Sequence, residues 1–315
     1  MALPFFFNYP IFRTGLDNFK IIVYNILVKF FLRATYQRKD DRKMDKISLA
    51  GDLGSGKSTV AGILIEALGA EKYSTGTIVR SIAERMGMTI GELNVYMETH
   101  PEIDIEVDNG LKALADDPCA LIIDSRMAWH FTKGTFKVYL STDVEVASAR
   151  IMSANRTGEH VATLEETINC TKGRRESEKK RYFTQYGVDI TDLTNYSLVV
   201  DTTYATPAEV AEVILSSLEM WRDDKELKLC YLSPERINYI DDEHDTEKMT
   251  EYASALERGE EIPPVKVFEE DGEFYIEEGQ ESALAYAFNF STYLPAVIVK
   301  GEIGERKYVK MKNSL

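Results

Sequence analysis

Between residues 44 and 221 the apolar positions fall into short continuous runs separated by longer stretches with helical spacing. Lys46-Ile47-Ser48-Leu49-Ala50 reads as a buried strand, and Ser58 to Leu68 has the spacing of a helix. Lys72-Tyr73-Ser74-Thr75-Gly76 is a strand ending in a hydroxyl-rich turn, followed by a helix from Thr77 to Arg85 and a mostly helical stretch from Met88 to Asp116. Cys119 to Ile123, Phe136 to Leu140 and Ser197 to Val200 are further strands, and a helix carrying Arg150 lies between the last two. The polar, basic stretch from Ser153 to Arg181 is partly helical. Thr206-Pro207-Ala208-Glu209 is a capping box with proline at the first helical position, opening a helix that runs to about Trp221. Strands alternating with helices predict an α/β domain over 44–222, a parallel sheet flanked by helices on both faces.

Beyond Trp221 the pattern changes. A charged connector from Arg222 to Lys228 leads to a helix over Thr246 to Arg258 and then to Ile262-Pro263-Pro264-Val265-Lys266-Val267-Phe268, whose prolines predict an edge strand. Asp271-Gly272 is a hairpin turn into a strand over Glu273 to Glu277, and Ser282 to Phe288 is a short helix. A small α+β domain over 225–315 follows.

Charge separates these regions further. Of the 315 residues, with a net charge of −15, residues 1–43 carry a net +5, residues 44–224 a net −11 and residues 225–315 a net −9. An acidic body of this kind repels nucleic acid unless positive charge is locally concentrated. Cys119, Cys170 and Cys230 match neither a zinc pattern nor a disulfide framework, which points to reduced thiols in a cytoplasmic protein. The segment from Met1 to Lys43 contains an apolar run from Ile21 to Leu32 that is short for a bilayer span. It reads either as an interfacial basic helix or as a non-native leader ahead of a true start at Met44, and in both cases activity is expected to survive its removal.

The chemistry centres on Gly51-Asp52-Leu53-Gly54-Ser55-Gly56-Lys57-Ser58, a complete G-x-x-x-x-G-K-[ST] pattern followed by Thr59, set between a predicted strand and a predicted helix. Its glycines let backbone N–H groups curl around ATP phosphates, Lys57 reaches the outer phosphates, and the Ser58 hydroxyl is expected on Mg²⁺. Asp52 is an oddity, a carboxylate at the lip of an anion site that has to point away from the phosphates. Arg150, Arg156, Arg174, Arg175 and Arg181 gather in one window of an otherwise acidic domain. They read either as a solvated helix with Arg/Glu pairs, since Glu176 and Glu178 sit among them, or as a mobile lid closing over the triphosphate. In the second reading Arg175 and Arg181 are the first catalytic candidates and Arg174 the next.

The motifs GDLGSGKST, YSTGTIVRSIAERMGMTIGEL, PEIDIEVDNG, IIDSRMAWHF, KVYL, RRESEKKRY and YGVDITDLTNYSLVVDTT, in that order, resemble the cytidylate kinase-like branch of the nucleoside monophosphate kinases. Ser125, where that pattern usually has glycine, and Asp52 depart from it. The resemblance implies ATP-dependent phosphorylation of CMP or dCMP. Arg80 and Arg126 would hold the acceptor monophosphate with Ser74 nearby, and Asp104 or Asp108 would lie in the segment that closes over the base; ordinary helix solvation is the alternative for the two aspartates. Asp124 would serve either Mg²⁺ or the orientation of Arg126, and Asp189 would either buttress the lid arginines or be structural. Two other functions stay open: a P-loop kinase of another small acceptor, with Ser125 and Trp129 marking a remodelled pocket, and a non-catalytic nucleotide-dependent sensor.

Residues 225–315 resemble the ParB/sulfiredoxin-like fold. Active members carry basic residues after a glycine where this chain has Gly279-Gln280-Glu281-Ser282. The domain therefore reads as a binding or regulatory module with a protein partner and no nucleotide site of its own.

Overall fold

The computed structural model describes residues 45–154, 163–241 and 244–310. Residues 1–43, with both readings of that segment, and Arg156 lie outside them. The described chain divides into two compact units and passes from one to the other between Lys228 and Leu229. No helix among the described residues is long and apolar enough to cross a membrane.

In the first unit, β1 (Lys46–Gly51) is the centre of a parallel sheet. It pairs with β3 (Leu121–Asp124) on one side and β4 (Phe136–Ser141) on the other. β2 (Glu71–Ser74) joins β3, and β5 (Leu198–Asp201) joins β4. Ile47, Ser48 and Leu49 are all fully buried although successive side chains point to opposite faces, so the sheet is covered on both sides as the continuous apolar runs predict. The one hydroxyl in that run is satisfied, because Thr135 Oγ1 donates to Ser48 Oγ at 3.0 Å. Truncating Leu49 to alanine there would cost about 2–5 kcal/mol.

The helices are α1 (Lys57–Leu68), α2 (Thr75–Met86), α3 (Ile90–Met97), α4 (Pro101–Ala113), the single turn α5 (Ala128–Phe131), α6 (Val144–Ser153), α7 (Leu164–Tyr186) and α8 (Pro207–Asp223). α8 opens with the predicted capping box, in which Glu209 N donates to Thr206 Oγ1 and Thr206 N to Glu209. Thr89 with Glu92 and Thr163 with Glu166 make two more, opening α3 and α7.

The second unit contains β6 (Leu229–Leu232), β7 (Ile237–Ile240), α9 (Thr246–Glu257), β8 (Val265–Glu270), β9 (Glu273–Glu278), α10 (Gln280–Phe288), β10 (Leu294–Ile298) and β11 (Tyr308–Lys310). Its strands pair in the order β11, β7, β9, β8, β10, β6. The expected edge strand is corrected here: β8 lies between β9 and β10. It starts at Val265, so Pro263 and Pro264, which cannot donate to a ladder, stay outside it. The hairpin turn is as predicted, with Asp271 at φ 53° and Gly272 at φ 86°.

Candidate active site

Parallel strands deliver their carboxyl ends to one edge of the sheet, and that edge collects the predicted residues. Leu49 is in register with Asp124, and Asp124 with Ser74, so the P-loop after β1, the Asp124 carboxylate after β3 and the Ser74 turn after β2 lie side by side. The P-loop turns tightly enough to need its glycines. A Cβ on Gly54, at φ 76°, would fall 2.5 Å from the Ala147 carbonyl oxygen. Gly56 is the N-cap of α1 in left-handed conformation, and no side chain caps the helix, which leaves its first amides directed at the loop.

Lys57 donates to the carbonyls of Gly51 and Asp52 at 3.0 and 2.6 Å and to Ser55 Oγ at 3.3 Å. Burial and then the Arg126 guanidinium pull its pKa down to about 7, partly offset by Asp124, Asp52 and Glu178. Lys57 therefore shares one electrostatic environment with Arg126 and Asp124. Ser58 and Thr59 are exposed at the start of α1, and Ser55 is buried. The Ser58 hydroxyl and the Asp124 carboxylate are hard oxygen donors of the kind that suit Mg²⁺ shared with substrate phosphates.

The Asp52 carboxylate does turn from the loop interior. Its Oδ1 accepts from the Tyr139 hydroxyl and from Arg175 Nη1, each at 2.7 Å, and its Oδ2 from the Thr142 amide at 3.0 Å. Arg175 is thereby brought to the P-loop. Glu178, one turn further along α7, is buried and bridges two arginines. Arg126 Nε donates to it at 2.7 Å and Arg174 Nε at 3.1 Å. Burial opposes its charge, yet Arg126 first and Arg174 second hold its carboxyl down at about 2.

Arg181 differs from the other two arginines of α7. It is buried, its Nε 2.8 Å from Asp104 Oδ2, and it donates to the Asn94 carbonyl at 3.4 Å. It thus reaches α3 and α4 and pairs with Asp104, whereas Arg175 pairs with Asp52 and Arg174 with Glu178. Asp104 and Asp108 are both buried, which replaces the solvation reading. Burial, opposed by Arg181, pushes Asp104 up to about 6, and burial also raises Asp108, which accepts from the Tyr186 hydroxyl at 2.6 Å.

Ser74 is the N-cap of α2, and Arg80, on that helix, is exposed. The Arg80 guanidinium overhangs the turn: a Cβ on Gly76 would meet its Nη1 at 3.7 Å and Ser74 Oγ at 3.8 Å. Arg150 is engaged elsewhere, donating to the carbonyls of Thr202 and Thr203 at 2.8 and 3.1 Å. Asp189 does not reach the arginines either; it accepts from the amide and hydroxyl of Thr191. Trp129, expected to mark a remodelled pocket, is buried and donates its indole N–H to the Arg126 carbonyl at 2.9 Å. Ser125 is likewise buried, its hydroxyl accepting from the Met127 amide.

Glu178 and Tyr139 were not among the sequence candidates. The signal for Glu178 was present in the spacing: Arg174, Glu178 and Arg181 at i, i+4 and i+7 share one face of a helix, and a polar face turned inward is not a solvated one.

A family profile described as an AAA domain matches residues 47–169. A cytidylate kinase of Thermoplasma volcanium is 37% identical over 178 residues, 55% of this chain and 91% of that protein. One of Archaeoglobus fulgidus is 35% identical over 176 residues, 56% of this chain and 95% of that protein. A protein of Lacinutrix mariniflava named as an S-adenosylmethionine-dependent nucleotide dehydratase is 38% identical over 171 residues, covering 54% of this chain and 35% of that protein. With identity at this level along nearly the full length of the two archaeal enzymes, the chain belongs to the cytidylate kinase family.

Proposed function

We propose that residues 44–222 transfer the γ-phosphoryl group of ATP to the phosphate of a nucleoside monophosphate, CMP or dCMP before others, giving ADP and the nucleoside diphosphate. The observation that carries this reading is α7 as a bridge: Arg175 reaches Asp52 of the P-loop while Glu178, on the next turn, holds Arg126 at the end of β3. One helix thus ties the donor side to the acceptor side.

In this reading the amides of Gly51, Gly54, Ser55, Gly56, Lys57, Ser58 and Thr59 surround the ATP phosphates. The Lys57 ammonium leaves its carbonyl partners for the outer phosphates. Arg126 and Arg80, with Ser74, bind the acceptor phosphate, and Arg174 and Arg175 meet the charge on the group in flight. Asp104 and Asp108, buried between α4 and α7, order the segment over the base, and Arg181 serves through Asp104. An oxygen of the acceptor phosphate attacks the γ-phosphorus as its bond to the ADP oxygen breaks. No general base is required, since that phosphate is already anionic near pH 7. Ser58 and Asp124 would hold Mg²⁺, which would supply neutralisation of the phosphate charge.

Residues 225–315 are proposed as a ParB/sulfiredoxin-like module that engages a protein partner. Two hairpin strands followed by a helix starting at Gly279 support that fold. At φ 86° a Cβ there would lie 2.7 Å from the Pro264 carbonyl oxygen, so the turn admits only glycine. Gln280 Oε1 accepts from the Ile240 amide at 2.7 Å, and the reading that the helix start is not a phosphate cradle is supported by the Glu281 carboxylate beside it and by the lack of a basic residue in Gly279-Gln280-Glu281-Ser282. A cytoplasmic location fits a consumer of ATP.

The test is ADP release with CMP, dCMP, UMP, AMP, GMP and unrelated small acceptors. Turnover confined to a non-nucleotide acceptor, or absent with all, would defeat the reading.

A further inference from the structure

A carboxylate at the rim of a phosphate site weakens phosphate binding unless its charge is committed elsewhere. The Asp52 carboxylate is committed three times over, to the Thr142 amide, the Tyr139 hydroxyl and Arg175 Nη1. Tyr139 lies on β4 and Thr142 just after it, where the Asp52 amide also donates to the Leu140 carbonyl at 2.9 Å. Residue 52 is thereby fixed to the sheet by backbone and side chain alike. Arg175 comes from the middle of α7, a different layer of the unit. The carboxylate joins a rigid frame to a long, many-rotamer side chain.

The same residue also governs the P-loop lysine, because the Asp52 carbonyl accepts from Lys57 Nζ at 2.6 Å and from Ser55 Oγ at 2.8 Å. The carboxylate faces the arginine and the carbonyl faces the lysine, so one residue organises two cations around the loop. A guanidinium is a planar fork of five donors. Fixing one N–H on a rigid acceptor narrows the directions open to the others.

We propose that Asp52 is a positioning residue for phosphoryl transfer, acting through Arg175, which it aims at the transferred group from a frame that does not move during the reaction. The inference rests on the kinase reading above. Donors held in place before the reaction stabilise developing charge without reorganising, so the contribution belongs to turnover and not to ATP binding. Asp52, which departs from the usual family pattern, would be the local device by which this chain steadies a lid arginine.

The test is steady-state kinetics of D52N, R175A and the double variant, with thermal melting of each. D52N keeps an acceptor for the Thr142 amide but loses the charge that holds Arg175. Its kcat is expected to fall about tenfold while KM for ATP stays within about twofold or drops, because a charge-assisted hydrogen bond is lost and a repulsive charge removed. In the R175A background the same change is expected to cost nothing more, since residues acting as one unit are not additive. A D52N enzyme with wild-type kcat, or losses that multiply in the double variant, would overturn the proposal. Should D52N melt far below wild type, D52E takes its place, keeping the charge but moving it by one methylene from its tethers; it is expected to lower kcat at unchanged KM for ATP, and wild-type kcat there would also overturn the proposal. Wild type run alongside separates the two readings: no transfer to any nucleotide sinks the kinase assignment and this inference with it, whereas transfer by wild type with an indifferent D52N sinks only the role of Asp52.

Discussion

Arg181 Nε stands 2.8 Å from Asp104 Oδ2, with the two side chains only 6% and 4% exposed, so an ion pair between α4 and α7 lies almost out of reach of solvent. Desolvation of both charges sets against their attraction, and for Asp104 desolvation is the larger effect, leaving its pKa at about 6.

The pair makes stability depend on pH in a direction opposite to that of an ordinary surface carboxylate. Asp104 is raised in the folded chain, so the folded state holds its proton longer than the unfolded one. Its favourable contribution is present below the unfolded pKa and is lost as pH rises through about 6. Wild type is therefore expected to gain stability relative to D104N as pH falls from 7 to 5, by up to ~1.4 kcal/mol per pH unit, with a flat difference above 7. Urea unfolding of both proteins across that range measures it. A difference that shrinks toward acid would mean that Arg181 dominates and Asp104 is an ordinary ionised partner.

Lys57 yields a prediction about protons. With its pKa at about 7 in the free chain, it is largely neutral at pH 8 and must be charged to hold ATP phosphates. ATP binding at pH 8 is expected to take up ~0.9 proton, falling toward zero below pH 6. Calorimetric titration in two buffers of different ionisation enthalpy reads this directly. A binding heat independent of buffer would show that Lys57 is already charged before ATP arrives.

Much of the fold was legible because the parallel strands are nearly pure apolar runs and the helix starts carry explicit signals, Thr206 with Glu209 and Gly56 before Lys57 among them. The strand β8 was misplaced in the sheet because Pro263 and Pro264 were counted inside a run that starts only at Val265. Site residues were legible by chemical type and less so by partner. Arg174, Arg175 and Arg181 stood out as a cluster, but their different destinations depend on which helix face meets the P-loop and which meets α4. Asp52 was legible as an anomaly, and its resolution needed Tyr139, Thr142 and Arg175, 87 to 123 positions away in sequence.

Arg126 and Arg80 test the acceptor assignment from two environments. Arg126 is tied to buried Glu178, and removing one partner of such a pair costs about 2–5 kcal/mol, whereas Arg80 is exposed beside Ser74. R126A is therefore expected to lose stability as well as acceptor affinity, and R80A to raise KM for the acceptor alone with melting unchanged. In both, KM for the acceptor should rise far more than KM for ATP. Equal damage to the two substrates would place these arginines in a different pocket.

The second unit gives the last prediction. If its helix α10 offered a phosphate cradle, the residues after Gly279 would need free donors and positive charge. Instead Gln280 carries no charge and Glu281 adds a negative one, within a segment whose net charge is −9. Kinase chemistry is thus expected to reside in the first unit, and a chain ending at Lys228 should retain kcat and both KM values within about threefold of the full chain, since each assigned residue precedes that point. ATP binding to the full chain should show one site by calorimetry at low salt, where any electrostatic binding is strongest. A second ATP site in the full chain that disappears on truncation at Lys228, or a truncated chain that folds but has lost turnover, would assign nucleotide chemistry to residues 229–315.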